Sequence, residues 1–363
     1  LLREGGGPPT PKASAVLAPS TPPSRSKRPP PYVESCGECV VDGKEGALLC
    51  RYAAASHVGG SGSSPTKQNQ DAHFVADCGD STMVWGVLDG HGPDNGILAA
   101  QTGAAALKDW CTSHVSELRA APSAAMKGAF QAAHNAIRAA LLRKYTAAGA
   151  ALTPTREGFL IEADGNPVDG GTTATVVALI EGHLLVVANV GDSDALLGGA
   201  LADEAIGFEQ LCADHSATST SEFLRVARLA SSRPADWEPA LFVYESEDAE
   251  REVPIEIFAV SEEGEIGYDE DVRDNLDELQ VGYKSARGDR PTALLVPEGE
   301  VYASQQLGIT RSLGDFYLQY HGVSWEPAVS CIDLFDVQSE LRRVTLVLAS
   351  DGLWDLWGYQ ECL

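Results

Sequence analysis

Three aspartates stand where strands should end: Asp71 in NQDAHF (69–74), Asp89 in TMVWGVLDG (82–90) and Asp351 in RRVTLVLASDG (342–352). Carboxylates at the tips of buried strands form an oxygen cage suited to a hard divalent ion such as Mg²⁺ or Mn²⁺. Two of the three are followed by Gly, so the backbone can turn tightly and offer a carbonyl. Few thiols or imidazoles accompany them. One Asp-Gly pair alone is ordinary turn chemistry. Two of them, with His91 and Asp355 nearby, point to a site.

The elements that must position these residues can be read from periodicity. Residues 82–90 read as a buried strand entering a Gly turn. TATVVALI (173–180) and HLLVVANVG (183–191) read as two strands joined across Glu181-Gly182. Between them, the Ala-rich stretch 96–110 reads as a helix. So does 123–144, where Met126, Phe130, Ala133, Ile137 and Leu141 recur at three- and four-residue steps and Ser123 is expected to cap the N-terminus. Residues 342–352 supply a last strand.

Composition limits the alternatives. The 363 residues carry 26 Lys and Arg against 52 Asp and Glu, a net charge of −26 that argues against nucleic-acid binding. No apolar run reaches the 18 or more residues of a membrane span. The eight Cys lack dense spacing, so a reducing compartment is expected, and Cys36-x-x-Cys39 reads as a fortuitous pair rather than a metal site. Residues 1–31 hold nine of the twenty prolines, and residues 1–50 are expected to form a disordered tail, a plain linker in composition though also compatible with a transit peptide. Residues 238–278 contain sixteen acidic residues and read as a solvated insertion with some local strand structure at Ile255, Ile257, Phe258 and Val260.

Seven motifs in order carry a resemblance: Asn69-Gln70-Asp71, Asp89-Gly90-His91-Gly92, Gly170-Gly171-Thr172-Thr173-Ala174, Gly191-Asp192-Ser193, Ala213-Asp214-His215, Thr310-Arg311-Ser312-Leu313-Gly314-Asp315, and Ser350-Asp351-Gly352-Leu353-Trp354-Asp355. Over about residues 53–363 the chain resembles the metal-dependent serine/threonine protein phosphatases of type 2C, and is similar to algal and protist members with a long insertion before Arg311. The resemblance implies an α+β fold, a four-layer α-β-β-α sandwich with two central antiparallel sheets flanked by helices. It implies two Mg²⁺ or Mn²⁺ ions in a cleft, held by Asp71, Asp89, the Gly90 carbonyl and Asp351, with Asp89 bridging. His91 resembles the general acid that protonates the departing Ser or Thr oxygen. Asp192 and Asp355 resemble the residues that hold a weaker third ion in some members. The Gly-Gly-Thr-Thr segment is expected to pack and turn rather than to bind phosphate.

The chain also departs from the family pattern. The family's acidic pair is Gln70-Asp71 here. The basic residue that grips substrate phosphate is replaced by Thr66, which moves the expected contact to Lys67. Gly-Asp-Ser-Arg becomes Gly191-Asp192-Ser193-Asp194. The family's last metal-ligating Asp would lie beyond Leu363, and together with the missing initial Met this suggests a truncated sequence. The expected organisation is therefore a tail (1–50) and a phosphatase domain (51–363) with an acidic insertion at about 220–300, truncated at its C-terminus. The expected function is hydrolysis of phosphoserine and phosphothreonine on phosphoprotein substrates by a monomer in the cytoplasm or nucleus. The alternative is a pseudophosphatase that binds phosphoproteins or kinases without turnover.

Overall fold

The computed structural model describes residues 35–43, 46–58, 68–244, 255–260, 266–269, 292–299, 301–338 and 340–363. The Pro-rich segment 1–31, Lys67 and much of the acidic run lie outside the described residues. The elements begin with β1 (Ser35–Gly43), β2 (Gly46–Ala54), β3 (Ala72–Gly79), β4 (Thr82–Leu88) and the short β5 (Gly90–His91). Three helices follow, α1 (Gly96–Ser113), α2 (Val115–Ala120) and α3 (Pro122–Ala147). Next come β6 (Thr153–Pro154), β7 (Leu160–Ile161), β8 (Gly171–Thr172), β9 (Ala174–Ile180), β10 (Leu184–Val190), β11 (Asp194–Ala200), β12 (Ile206–Gln210) and α4 (Thr220–Leu229). The insertion region contributes β13 (Leu241–Tyr244), β14 (Ile255–Glu256), β15 (Phe258–Val260), β16 (Ile266–Tyr268) and β17 (Thr292–Val296). The chain continues with β18 (Gln305–Leu307), β19 (Leu313–Gly314), α5 (Phe316–Tyr320), β20 (Ala328–Asp333), α6 (Leu334–Gln338), β21 (Arg342–Ala349) and α7 (Asp351–Trp354).

The central sheet is antiparallel, in the order β20-β10-β9-β4-β3, and a second sheet runs β12-β11-β21. β9 is buried along its whole length because both of its faces are covered. Val176, Ala178 and Ile180 enter the core shared with α1 and α3, while Val177 and Leu179 enter the core shared with Ala195, Leu197 and Leu341. The period-two alternation of a strand thus serves two cores at once. The turn between β9 and β10 holds Glu181 at φ 50° and Gly182 at φ 72°, as the Glu-Gly signal predicts.

Two expectations need correction. Residues 35–50, assigned to the disordered tail, belong to a hairpin in which β1 pairs with β2. Their alternation turns Val41 (1% exposed), Cys39, Leu48 and Cys50 onto the core between the sheets, a signal hidden beside the prolines upstream. Cys39 therefore faces the core opposite Cys50 while Cys36 is exposed, and burial pushes the Cys39 thiol up. Ser123 also makes no cap: Pro122 occupies the first helical position of α3 and Ala121 stands at the N-cap, because a fixed φ and a missing N–H suit that position.

A buried ion cluster ties α4 to the segment around β19. Glu222, 2% exposed, accepts from Arg311 Nη2 at 2.6 Å and Arg225 Nε at 2.8 Å. Arg225 also donates to the Gly322 and Thr310 carbonyls. Burial alone would raise the Glu222 carboxyl, but the Arg311 hydrogen bonds and the Arg225 charge outweigh it and hold it at about 2. Its stabilising contribution is therefore complete above its ordinary value of 4.5 and lost as pH falls through about 2. Glu222→Gln strands two guanidiniums and should cost about 3–5 kcal/mol in urea unfolding at neutral pH. A loss below about 1 kcal/mol would contradict the cluster's structural role.

Candidate metal and catalytic site

A cavity of about 640 Å³ opens where β3, β4 and β21 end, and Asp71, Asp89, Gly90 and Asp351 all line it. The Asp89 backbone is clamped from the neighbouring strands. Its N–H donates to Thr173 Oγ1 at 2.9 Å, and its carbonyl accepts from Thr172 Oγ1 and the Thr173 N–H, each at 2.9 Å. Gly90 admits no side chain, since a Cβ there would lie 2.4 Å from the Gly96 carbonyl oxygen. Asp351 opens α7 directly after β21. Trp354, fully buried, donates from Nε1 to the Ala349 carbonyl at 2.8 Å and fixes that turn. Ser350 does not cap α7; its hydroxyl reaches across to Asp71 Oδ2 at 3.0 Å.

The donor set calls for cations. Burial, then the charges of Asp351 and Asp71 and hydrogen-bond contact with both, push the Asp89 carboxyl up to about 8. Among the described residues no group of three or more His, Cys, Asp or Glu converges on one point. The residues present therefore suit a shared, water-rich site for hard ions such as Mg²⁺, which retain several waters and take one or two carboxylates each. Gln70 takes a different part from an acidic partner: its side-chain amide donates to the Gly92 carbonyl at 2.9 Å and braces the loop after β5. His57 and His73 also line the cavity. Asp192 and Asp355 do not line it, although the Asp192 charge reaches His91. Lys67 lies outside the described residues.

Sequence reasoning missed Asp315. Its side chain is 1% exposed, and Oδ2 accepts from His91 Nε2 at 2.8 Å and from Ser312 Oγ at 2.5 Å. Burial opposes protonation of the His91 ring, but Asp315, with Asp89 and Asp192 beyond it, outweighs that and raises the imidazole above its ordinary value. Asp315 sits in the left-handed region (φ 44°, ψ 46°), a conformation a non-Gly residue keeps only when its surroundings over-determine it. Here the carboxylate fits because a Cβ on Gly171 would lie 2.2 Å from Oδ2. The Gly-Gly-Thr-Thr segment thus makes room for Asp315 and clamps Asp89, which is packing and turn chemistry as read from the sequence. The only sequence signal for Asp315 was its place at the end of Thr310–Asp315. Asp194, unexplained in the sequence, turns inward and accepts from Gln210 Nε2 at 2.6 Å and from the Ala195 N–H at 2.7 Å.

A family model described as "Protein phosphatase 2C" matches residues 86–233 and 294–363, more than half of the chain, and the chain belongs to that family. Its class is therefore that of the serine/threonine protein phosphatases, a family whose members depend on Mg²⁺ or Mn²⁺. A serine-threonine phosphatase 2C of Toxoplasma gondii is 18% identical, with 80% of this chain and 76% of that one covered and a TM-score of 0.46. A serine/threonine phosphatase of S. agalactiae is 17% identical over 82% of this chain and 79% of that one, with a TM-score of 0.38. No curated protein matches the sequence. Among the described residues no helix is long and apolar enough to cross a membrane.

Proposed function

We propose that this chain hydrolyses phosphoserine and phosphothreonine in proteins, with two Mg²⁺ or Mn²⁺ ions held by Asp71, Asp89, the Gly90 carbonyl and Asp351. The observation that carries this reading is the crowding of three carboxylates on one cavity, which pushes Asp89 up to about 8. A site meant only to bind phosphoproteins would have no need of such crowding, so turnover is favoured over a pseudophosphatase. When bound, the ions supply Lewis-acid charge at the phosphoryl group and activate the attacking water.

The chain's own residues do the rest. The Thr172 and Thr173 contacts hold Asp89 in place before substrate arrives. Asp315 holds the proton on His91 Nε2 and leaves Nδ1 to face the substrate. As the bond from phosphorus to the Ser or Thr oxygen breaks, its electron pair stays on that oxygen, which takes a proton from His91 Nδ1. Asp315 is a positioning residue in this scheme. Lys67 grips the substrate phosphate as a point charge, and Asp192 and Asp355 hold a weaker third ion outside the 640 Å³ cavity. We further assign the four-layer sandwich to the phosphatase domain, with its insertion within the unmatched residues 234–293. The partners are phosphoprotein substrates, met by a monomer in the cytoplasm or nucleus. Phosphothreonine-peptide hydrolysis should require added Mn²⁺ or Mg²⁺ and stop in EDTA, and activity surviving EDTA would sink the reading.

A further inference from the structure

We propose that a second cavity, which shares no lining residue with the first and measures about 340 Å³, is a binding site for a phosphate monoester dianion. It lies among α3, α4 and α5, and its walls include Arg138, Arg225, Arg233, Phe316, Tyr320 and Trp325. Among the described residues Glu157 is the one acidic residue lining it. In a chain of net charge −26, three guanidiniums around one cavity run against the composition.

Their charges are not equally committed. Arg225 is spent on Glu222 and on backbone carbonyls. Among the described residues Arg138 has no carboxylate partner; it donates to the Gly158 carbonyl and lies 5.6 Å from the centre of the Phe316 ring. Arg233 has none either, and its guanidinium lies 5.6 Å from the Trp237 ring and 5.5 Å from the Tyr320 ring. A guanidinium held over aromatic faces is positioned and weakly hydrated, while its in-plane N–H donors stay available for an oxyanion. Two uncommitted guanidiniums match a dianion, whereas a carboxylate would leave one of them unpaired. The ligand's chemistry is common to free orthophosphate and to a further phosphoryl group on a protein substrate.

The test is calorimetric titration of the full chain, first loaded with Mn²⁺ and then stripped with EDTA. In the stripped protein the catalytic cavity presents carboxylates without cations and repels anions. The probes are inorganic phosphate and a singly phosphorylated serine peptide. Stripped protein should still bind, and Arg233→Ala and Arg138→Gln should each weaken that binding about tenfold or more. Because Arg233→Ala could loosen the Trp237 and Tyr320 packing, Arg233→Lys serves as a second variant. It keeps the charge without the planar fork and should bind with intermediate affinity at an unchanged melting temperature. Tighter binding of the peptide assigns the site to protein-borne phosphate; equal or tighter binding of inorganic phosphate assigns it to the free ion. No binding of either probe to stripped protein, or binding that both Arg→neutral variants retain, overturns the proposal.

Discussion

Asp89→Asn is expected to lose most Mn²⁺ affinity and to lower phosphothreonine-peptide turnover by about a thousandfold, roughly 4 kcal/mol of transition-state stabilisation. The substitution is nearly isosteric, and the backbone clamp from Thr172 and Thr173 does not involve the side chain it alters. What it removes is the charge of the carboxylate proposed above as a metal ligand. The metal-free protein supplies an internal control. A carboxyl pushed up to about 8 is protonated in the folded state over a range where the unfolded chain is ionised. Metal-free wild type should therefore lose stability as pH rises from about 4 to about 8, and the Asn variant should lack that slope. At neutral pH the metal-free variant should melt no lower than metal-free wild type, which separates loss of a ligand from loss of the fold. Unchanged calorimetric Mn²⁺ binding would remove Asp89 from the ligand set.

The second large effect is expected at Asp315. Asn is the side chain best able to keep the left-handed backbone at this position, so Asp315→Asn removes charge with little disturbance of φ 44°. The amide no longer supplies the charge that keeps the His91 ring protonated on both nitrogens, so the Nδ1 proton is lost more readily. Turnover of a phosphothreonine peptide should fall about a hundredfold, because an alkoxide must be protonated as it leaves. Hydrolysis of p-nitrophenyl phosphate should fall far less, since nitrophenolate departs without a proton. A residue that merely supported the fold would lower both rates together, and equal losses would overturn its assignment to His91.

The sequence revealed the parts of this molecule governed by local pattern. The β9 and β10 strands, the Glu181-Gly182 turn and the apolar stripe of α3 follow from periods of two and of three to four residues. Local pattern also singled out Asp71, Asp89 and Asp351 as strand-end carboxylates, two of them followed by glycine. What stayed hidden depends on residues far apart in the chain. Asp315 meets His91 across 224 residues, and nothing near either one announces the other. The β1–β2 hairpin was masked by its proline-rich neighbour, and Ser123 lost the cap to Pro122, whose rigidity fits the first turn of the helix better. Asp194 looked like a cleft charge because its side-chain partner Gln210 lies on β12, sixteen residues further on.

The Ser350–Asp71 hydrogen bond joins residues 279 apart in the chain. A ribosome delivers Asp71, Asp89 and His91 early, and Asp315 and Asp351 more than two hundred residues afterwards. During synthesis at about 5–20 residues per second, the early carboxylates wait for more than ten seconds beside a half-built cleft with no Asp315 to hold His91 and no Asp351 to complete the donor set. On the proposed reading, the nascent chain lacks a complete donor set until Asp351 has been synthesised.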